Sequence, residues 1–235
     1  MPLGDGVDDL AAGDRVVMTF LPRCGGCPEC ATDGLLPCRV GSAATGLGLL
    51  VGDHRRLSRD GEPVHHHLGV SEFASHAVVN RTSVVRVDAD VPPEVAALLG
   101  CAVLTGGVAV VNAGRPREGD TVMVVGLGGG GMAALLVAGG TTVTVGLPAP
   151  DARASVSPLM LTAEARTVVG SYLGSAVPAR DIPLHVDLRR SGRLPLERLV
   201  SSRIALHDLD VAMDRLAAGG ELRQLIVLDE RNAPR

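Results

Sequence analysis

The alternation of apolar and polar positions along the chain predicts short strands interspersed with amphipathic helices. Apolar runs bounded by Gly, Pro or Asp predict strands, and such runs cover residues 16–20, 73–79, 83–87, 121–125, 141–147, 166–172 and 222–228. Apolar residues at helical spacing predict helices at residues 90–98, 132–137, 181–190 and 206–216. The polar, Gly-rich residues 41–69 predict loops and short strands. The pattern is that of an α/β protein.

Composition and charge narrow the possible functions. The chain has 235 residues, of which 46% are hydrophobic, so it can bury a core. A formal charge of −4 disfavours binding to the phosphates of nucleic acids. The aromatic residues are only Phe20, Phe73 and Tyr172, too few for stacking on bases. Glycines interrupt the longest apolar runs, and the first residues do not resemble a signal peptide, so neither a membrane span nor secretion is expected. We therefore expect a cytoplasmic protein whose thiols stay reduced.

Four closely spaced cysteines carry the strongest chemical signal. Cys24, Cys27, Cys30 and Cys38 are separated by segments whose glycines and proline allow tight turns. Four thiolates can close a tetrahedron round one zinc ion and leave no open coordination position, so such a site is structural. An iron–sulfur cluster or unmetallated thiols are the alternatives.

A glycine-rich segment lies between the predicted strand 121–125 and the predicted helix that follows. Gly126 would permit a tight turn, Gly128 the approach of a pyrophosphate and Gly131 close helix packing, so the segment predicts a dinucleotide loop. The next predicted strand, 141–147, lacks the acidic residue that should hold a ribose. Too few residues precede that strand for a complete doubly wound domain.

These features follow one another in the order found in a known family. The chain resembles the zinc-dependent medium-chain alcohol dehydrogenases, nearest the branch that includes the glutathione-dependent formaldehyde dehydrogenases. The stretches that carry the resemblance are residues 8–17, 24–38, 66–73, 99–106, 125–131, 145–148, 170–172, 178–183 and 192–195, together with Arg223. It implies a partial GroES-like β-barrel over residues 1–101 and 171–235, with a cysteine lobe at 24–38. Residues 102–170 would form a shortened Rossmann-type, doubly wound remnant.

The resemblance also implies roles for individual residues. Those roles are structural zinc ligands (Cys24, Cys27, Cys30 and Cys38), one ligand of a catalytic zinc (Cys101), a substrate-pocket residue (Phe20), a neighbour of the nicotinamide (Thr105), and contacts to the cofactor phosphates (Gly126, Gly128, Gly131 and Arg223). In the family the catalytic zinc polarises the oxygen of the alcohol, and hydride passes to NAD. The implied substrate is a small alcohol or aldehyde.

The sequence departs from the family pattern in two places. It begins inside the family's catalytic domain, without the segment that supplies the other catalytic-zinc ligands and the proton relay. The middle of the cofactor domain is missing near residues 137–141. The residues that could replace the missing ligands are His54, His65, His66, His67 and His76, although such histidines more commonly lie in polar loops or on strand surfaces. Without partner ligands, Cys101 is more simply interpreted as a small buried hydrophobic residue than as a zinc ligand. In the same way, Tyr172 is interpreted as a packing residue and Arg223 as a solvated strand residue.

Two main hypotheses follow, from different classes of function. The first is an alcohol or aldehyde oxidoreductase, impaired by the missing ligands. The second is a non-catalytic, zinc-binding remnant of the family. A zinc ribbon that binds protein or nucleic acid is disfavoured by charge, by the few aromatics and by the dehydrogenase-like order of the later segments. Missing strands would expose sheet edges and apolar faces, so we expect poor solubility or a homo-oligomer.

Overall fold

A computed structural model describes residues 3–118, 120, 140–219 and 221–228. The strands are β1 (Arg15–Met18), β2 (Leu57–Arg59), β3 (Glu62–Val64), β4 (Val84–Val87), β5 (Thr141–Thr144), β6 (Thr167–Gly170), β7 (Ser202–Ala205) and β8 (Gln224–Val227). The α-helices are α1 (Arg39–Gly46), α2 (Pro93–Leu98), α3 (Pro158–Ala163), α4 (Pro178–Arg190) and α5 (Leu209–Ala217). The predicted α/β class is confirmed.

The described strands form pairs rather than extended sheets. β1 pairs antiparallel with β4, with Arg15 opposite Val87, and β2 pairs with β3 in a hairpin. Asp60 and Gly61 form the hairpin turn with positive φ angles of 53° and 84°, as a tight two-residue turn requires. β5 pairs with β6, and β7 with β8, both in parallel. Within the described residues, the barrel-like and doubly wound parts are therefore both partial.

One long helix organises the core. α2 continues without a break into a π-helical segment, Leu99–Gly114, which extends well beyond the helix predicted to end at residue 98. Leu99 and Leu104 of this segment are fully buried with Ile182 of α4. Each such side chain contributes roughly 2 kcal/mol of burial free energy, which outweighs the low helix propensity of the glycines in the segment.

The same helix corrects one expectation from the sequence. Pro93–Gly114 spans 22 residues and is apolar enough to cross a membrane by length and composition. Interruption by glycine was taken to exclude such a segment, yet glycine scarcely lowers the apolar character of a run. Half of its most apolar window is buried in the protein, so the helix also contributes to the core.

Other predicted elements were confirmed, shortened or wrong. Strands near residues 16–20, 83–87, 141–147, 166–172 and 222–228, and helices near 181–190 and 206–216, are present with shifted ends. The strand predicted at 73–79 is wrong, since Phe73 and Val78 are more than half exposed and have no strand partner. The predicted strand 121–125, the glycine segment 126–131 and the predicted helix 132–137 lie outside the described residues.

Two helices, α1 and α3, were not predicted. The first has a cysteine as its N-cap, and the second is only six residues long. α1 begins at Cys38, whose Sγ accepts a hydrogen bond from the Gly41 amide, so a candidate metal ligand serves as the helix cap. α3 is capped by Ser157, whose Oγ accepts from the Met160 amide, and Pro158 occupies its first turn. The Ser-Pro pair is a recognisable start signal, and it could have identified α3.

Candidate functional site

The four cysteine sulfurs converge on one point. Their Sγ atoms all lie within 4.8 Å of one another. The Cys24 and Cys30 sulfurs are 4.0 Å apart, and those of Cys27 and Cys38 are 3.8 Å apart. A tetrahedron of thiolates at the usual zinc–sulfur distance has edges of about 3.8 Å. The two measured pairs match this edge, so the donor set fits a four-coordinate zinc ion once its longer separations, of up to 4.8 Å, close.

Short-range features of the sequence build this lobe, which comprises residues 24–38. Gly25 has a positive φ of 78°, and Pro28 opens a short 3-10 turn that carries Cys30. The side chain of Arg23 donates to the backbone carbonyls of Glu29 and Cys30, at 3.2 Å each. The guanidinium therefore links the backbone just before Cys24 to the turn that carries Cys30.

Backbone amides of the lobe are arranged to stabilise thiolates. The amides of Cys24 and Gly41 donate to the Cys38 sulfur, at 3.4 and 3.3 Å. A hydrogen bond from the Gly26 amide lowers the pKa of the Cys24 thiol to about 7, whereas burial raises that of Cys30 to about 11. Thiolates are the form that binds metal, and these hydrogen bonds favour that form.

A second group of predicted residues meets on another face, around Cys101. The ring of Phe20 lies edge-on to that of Tyr172, with centroids 6.1 Å apart and planes at 82°. Burial raises the pKa of the Tyr172 hydroxyl, and the nearby Cys101 raises it further. Thr105 is half-buried one helical turn beyond Cys101, at the contact with Gly174. We refer to Phe20, Cys101 and Tyr172 as the Cys101 face.

Cys101 itself is exposed, so its interpretation as a small buried hydrophobe is wrong. Across the described ranges, the four lobe cysteines are the only group of three or more His, Cys, Asp or Glu side chains close enough to share a metal ion. Cys101 thus has no companion ligands among the described residues. The residues present there do not fit a catalytic zinc centre, which needs about three protein ligands and an open position.

Three of the candidate histidines, His65, His66 and His76, make local contacts. His66 is buried, and its Nε2 accepts a hydrogen bond from the Arg56 amide at 3.0 Å. Burial lowers the pKa of His66, and the charge of Arg55 lowers it further, so the ring is neutral at pH 7. His65 Nδ1 lies 3.1 Å from the Leu47 carbonyl oxygen, and His76 lies against Ser75. These contacts are those of residues that support their own loops.

The candidate cofactor residues are not brought together among the described residues. Gly126, Gly128 and Gly131 lie outside them. Arg223 is exposed just before β8, where its backbone amide donates to Ser201 Oγ and its guanidinium reaches the Leu222 carbonyl.

Sequence reasoning missed two contributors to the metal lobe. Arg23 was not singled out, although a basic residue directly before the first of several cysteines is a usable signal. Gly34, buried at the tip of the lobe with a φ of 90°, was also missed. Gly34 lies against the backbone of Ser175, which is distant in the sequence, so no local pattern reveals this contact.

The curated proteins to which the chain is similar are alcohol dehydrogenases. Alcohol dehydrogenase 1 of Trifolium repens is 25% identical over 303 aligned positions, which cover 97% of this chain and 80% of that protein. Alcohol dehydrogenase B of Mycobacterium tuberculosis is 44% identical over 138 residues, which cover 57% of this chain and 36% of that protein. No family model matches the chain. The chain thus spans about four fifths of the first relative's length and just over a third of the second's.

A solved structure shares the fold over the same range. The alcohol dehydrogenase zinc-binding domain protein from Burkholderia ambifaria superposes with a TM-score of 0.85 at 25% identity, covering 97% of this chain and 81% of that one. The alignment with the clover protein spans 303 positions, whereas 97% of 235 residues is about 228 residues. About 75 residues of that relative therefore have no counterpart in this chain. They lie within the aligned range, so this chain has internal gaps relative to the Trifolium repens protein.

Proposed function

We propose that the chain is a member of the zinc-dependent medium-chain alcohol dehydrogenase family, an alcohol or aldehyde oxidoreductase by descent that binds one structural zinc ion. The observation that carries the zinc assignment is the convergence of four cysteine sulfurs within 4.8 Å of one another. Four protein ligands saturate the ion, so it would organise the lobe and take no part in chemistry.

The redox function would be hydride transfer between a small alcohol or aldehyde and NAD. On the Cys101 face, Phe20 and Tyr172 would form the apolar wall against which such a substrate lies. Gly126, Gly128 and Gly131 would receive the cofactor pyrophosphate, Arg223 a cofactor phosphate, and Thr105 would lie beside the nicotinamide. A zinc ion polarising the substrate would supply the Lewis acid in such a reaction, and among the residues that the structure describes Cys101 is the one ligand available for it.

That isolation favours a second candidate function, a zinc-binding protein without catalysis. An assay of NADH formation from a primary alcohol, on purified zinc-loaded protein, separates the two. Turnover that is lost in Cys101→Ser supports the oxidoreductase. Zinc bound at the lobe, with no turnover and no change in protein fluorescence on adding NADH, supports the non-catalytic candidate. Alcohol-dependent turnover that persists in Cys101→Ser contradicts the role of zinc ligand that the family resemblance implies for Cys101.

We further propose the domain division and cellular setting given by the family resemblance. Residues 1–101 and 171–235 would form the partial barrel domain, and residues 102–170 the shortened cofactor domain. Large apolar side chains such as Leu147 and Leu159, each 75% exposed, would favour self-association. Thiols kept reduced for metal binding suit the cytoplasm. Size-exclusion chromatography with light scattering tests the association, and a monodisperse monomer would contradict it.

A further inference from the structure

The tip of the cysteine lobe touches the body of the protein at one turn, residues 171–175. A Cβ atom built on Gly34 would lie 2.3 Å from the Ser175 carbonyl oxygen, so only glycine allows the two backbones to approach this closely. Beside it, Arg180 at the start of α4 pairs with Asp33 of the lobe. Asp33 is largely exposed, so this ion pair guides the contact more than it stabilises it.

The turn that receives this contact has an unfavourable backbone conformation. Leu173, Gly174 and Ser175 have successive positive φ angles of 49°, 73° and 55°. Left-handed angles are costly for residues with side chains and persist only where neighbouring groups hold them. The holding groups are Asn112, whose Nδ2 donates to the Ser175 carbonyl at 3.1 Å, the Ser171–Ser175 hydroxyl contact, and Gly34 of the lobe.

Tyr172 lies within the same turn, three residues from the point of lobe contact. Its ring packs edge-on against Phe20 and lies near Cys101. Ser171 and residues 173–175 on either side of it are buried, so the ring position follows the turn rather than a flexible linker. A shift of Ser175 would therefore be transmitted to the aromatic pair.

We propose that the cysteine lobe is a positioning element, which presses on Ser175 through Gly34 and thereby holds Tyr172 against Phe20 on the Cys101 face. The lobe is then more than a folding unit. Gly34 and Asp33 become positioning residues for a side chain with which they make no direct contact. The inference requires no catalysis, so it stands or falls independently of the proposed oxidoreductase function.

The composition of the chain supplies a local probe. Tyr172 is the only tyrosine and there is no tryptophan, so emission in the tyrosine band reports on this ring alone. Quenching by acrylamide measures how exposed the ring is. Zinc content and far-UV circular dichroism, measured on the same samples, show that the lobe and the fold remain intact.

Gly34→Ala is the principal variant, and Gly25→Ala is its matched control. Both glycines lie in the lobe at positive φ, 90° and 78°, but a Cβ on Gly25 would meet nothing within 4 Å. We expect Gly34→Ala to keep its zinc and raise the quenching constant of Tyr172 by about twofold or more, while Gly25→Ala stays at the wild-type value. Zinc-loaded, folded Gly34→Ala with wild-type quenching would overturn the proposal.

A second pair of variants keeps the test decisive should Gly34→Ala fail to fold. Asp33→Lys places a cation opposite Arg180, and Asp60→Lys makes the same change at a residue with nearly the same φ, 52° against 53°, in the β2–β3 turn. We expect a smaller rise in quenching for Asp33→Lys and none for Asp60→Lys. Equal quenching in both variants would show that the Asn112 hydrogen bond and the Ser171–Ser175 contact hold the turn without the lobe. That result would overturn the proposal.

Discussion

The cysteine lobe and the Cys101 face both carry cysteines of one chain, but they differ in how many possible metal ligands they bring together. In the lobe, four ligands from a segment of fifteen residues converge within 4.8 Å, with backbone amides directed at their sulfurs. On the Cys101 face, one exposed cysteine stands without a second ligand among the described residues. The difference teaches that a metal site built from one short segment can form from local sequence alone, whereas Cys101 would need ligands from other parts of the chain.

The largest effect should come from removing a buried lobe ligand. Cys38 is fully buried, caps α1 and accepts two amide hydrogen bonds, so Cys38→Ser should lower the free energy of unfolding by about 3 kcal/mol or more. Cys101→Ser, at an exposed position, should change it by less than about 0.5 kcal/mol. Urea denaturation of the two zinc-loaded variants checks this, and equal losses would end the contrast between the regions.

Thiol reactivity should divide the five cysteines in the same way. In zinc-loaded protein, a disulfide reagent should modify Cys101 rapidly, while the lobe cysteines are held by metal. After treatment with a chelator, all five should react. Counting released chromophore before and after chelation measures both populations. Five fast thiols in protein that still contains zinc would show that the metal is bound somewhere other than the lobe.

Packing beneath the Cys101 face should tolerate little change, although Cys101 itself is exposed. A Cβ on Gly174 would lie 2.1 Å from the Leu104 carbonyl oxygen, so Gly174→Ala should cost about 3 kcal/mol or more. Gly192 has almost the same φ, 72° against 73°, but open space around it, so Gly192→Ala should cost only about 1 kcal/mol. Thermal unfolding of both variants measures the difference, and similar costs would mean that the turn is loosely packed.

The smallest effect concerns His66, which is buried and accepts a hydrogen bond from the Arg56 amide. Burial, followed by the charge of Arg55, lowers its pKa in the folded protein. The folded state therefore binds this proton less readily than the unfolded chain does, so the stability His66 provides is present above about pH 6.5 and falls as the pH drops below it. His66→Gln should show a flatter loss of stability on acidification, measured by urea unfolding at several pH values. An unchanged slope would indicate that His66 is not the group responsible.

Local chemistry made much of this molecule predictable. The spacing of Cys24 to Cys38 predicted a metal lobe whose sulfurs the structure brings together, and Pro92, Pro93 and Glu94 marked the start of the central helix. Its end was not predictable, because residues 99–114 are held in helical form by burial of Leu99 and Leu104 in the core. Helix propensity alone would have ended the helix near its glycines.

Contacts between distant segments account for what the sequence could not predict. The paired arrangement of Phe20 and Tyr172 joins residues 152 positions apart, and the approach of Gly34 to Ser175 joins residues 141 positions apart. Neither leaves a periodic signal in the chain. The strand predicted at residues 73–79 failed for a related reason, since alternation specifies a strand only where a neighbouring strand accepts its hydrogen bonds.

The most direct test of the contrast is the zinc content per chain of three purified proteins: wild type, Cys38→Ser and Cys101→Ser. The account predicts one zinc in the wild type, none in Cys38→Ser and one in Cys101→Ser. Two zinc ions in the wild type, one of them lost in Cys101→Ser, would contradict it. That result would mean that the Cys101 face acquires ligands beyond those the described residues provide, and the chain would then carry a second, catalytic centre.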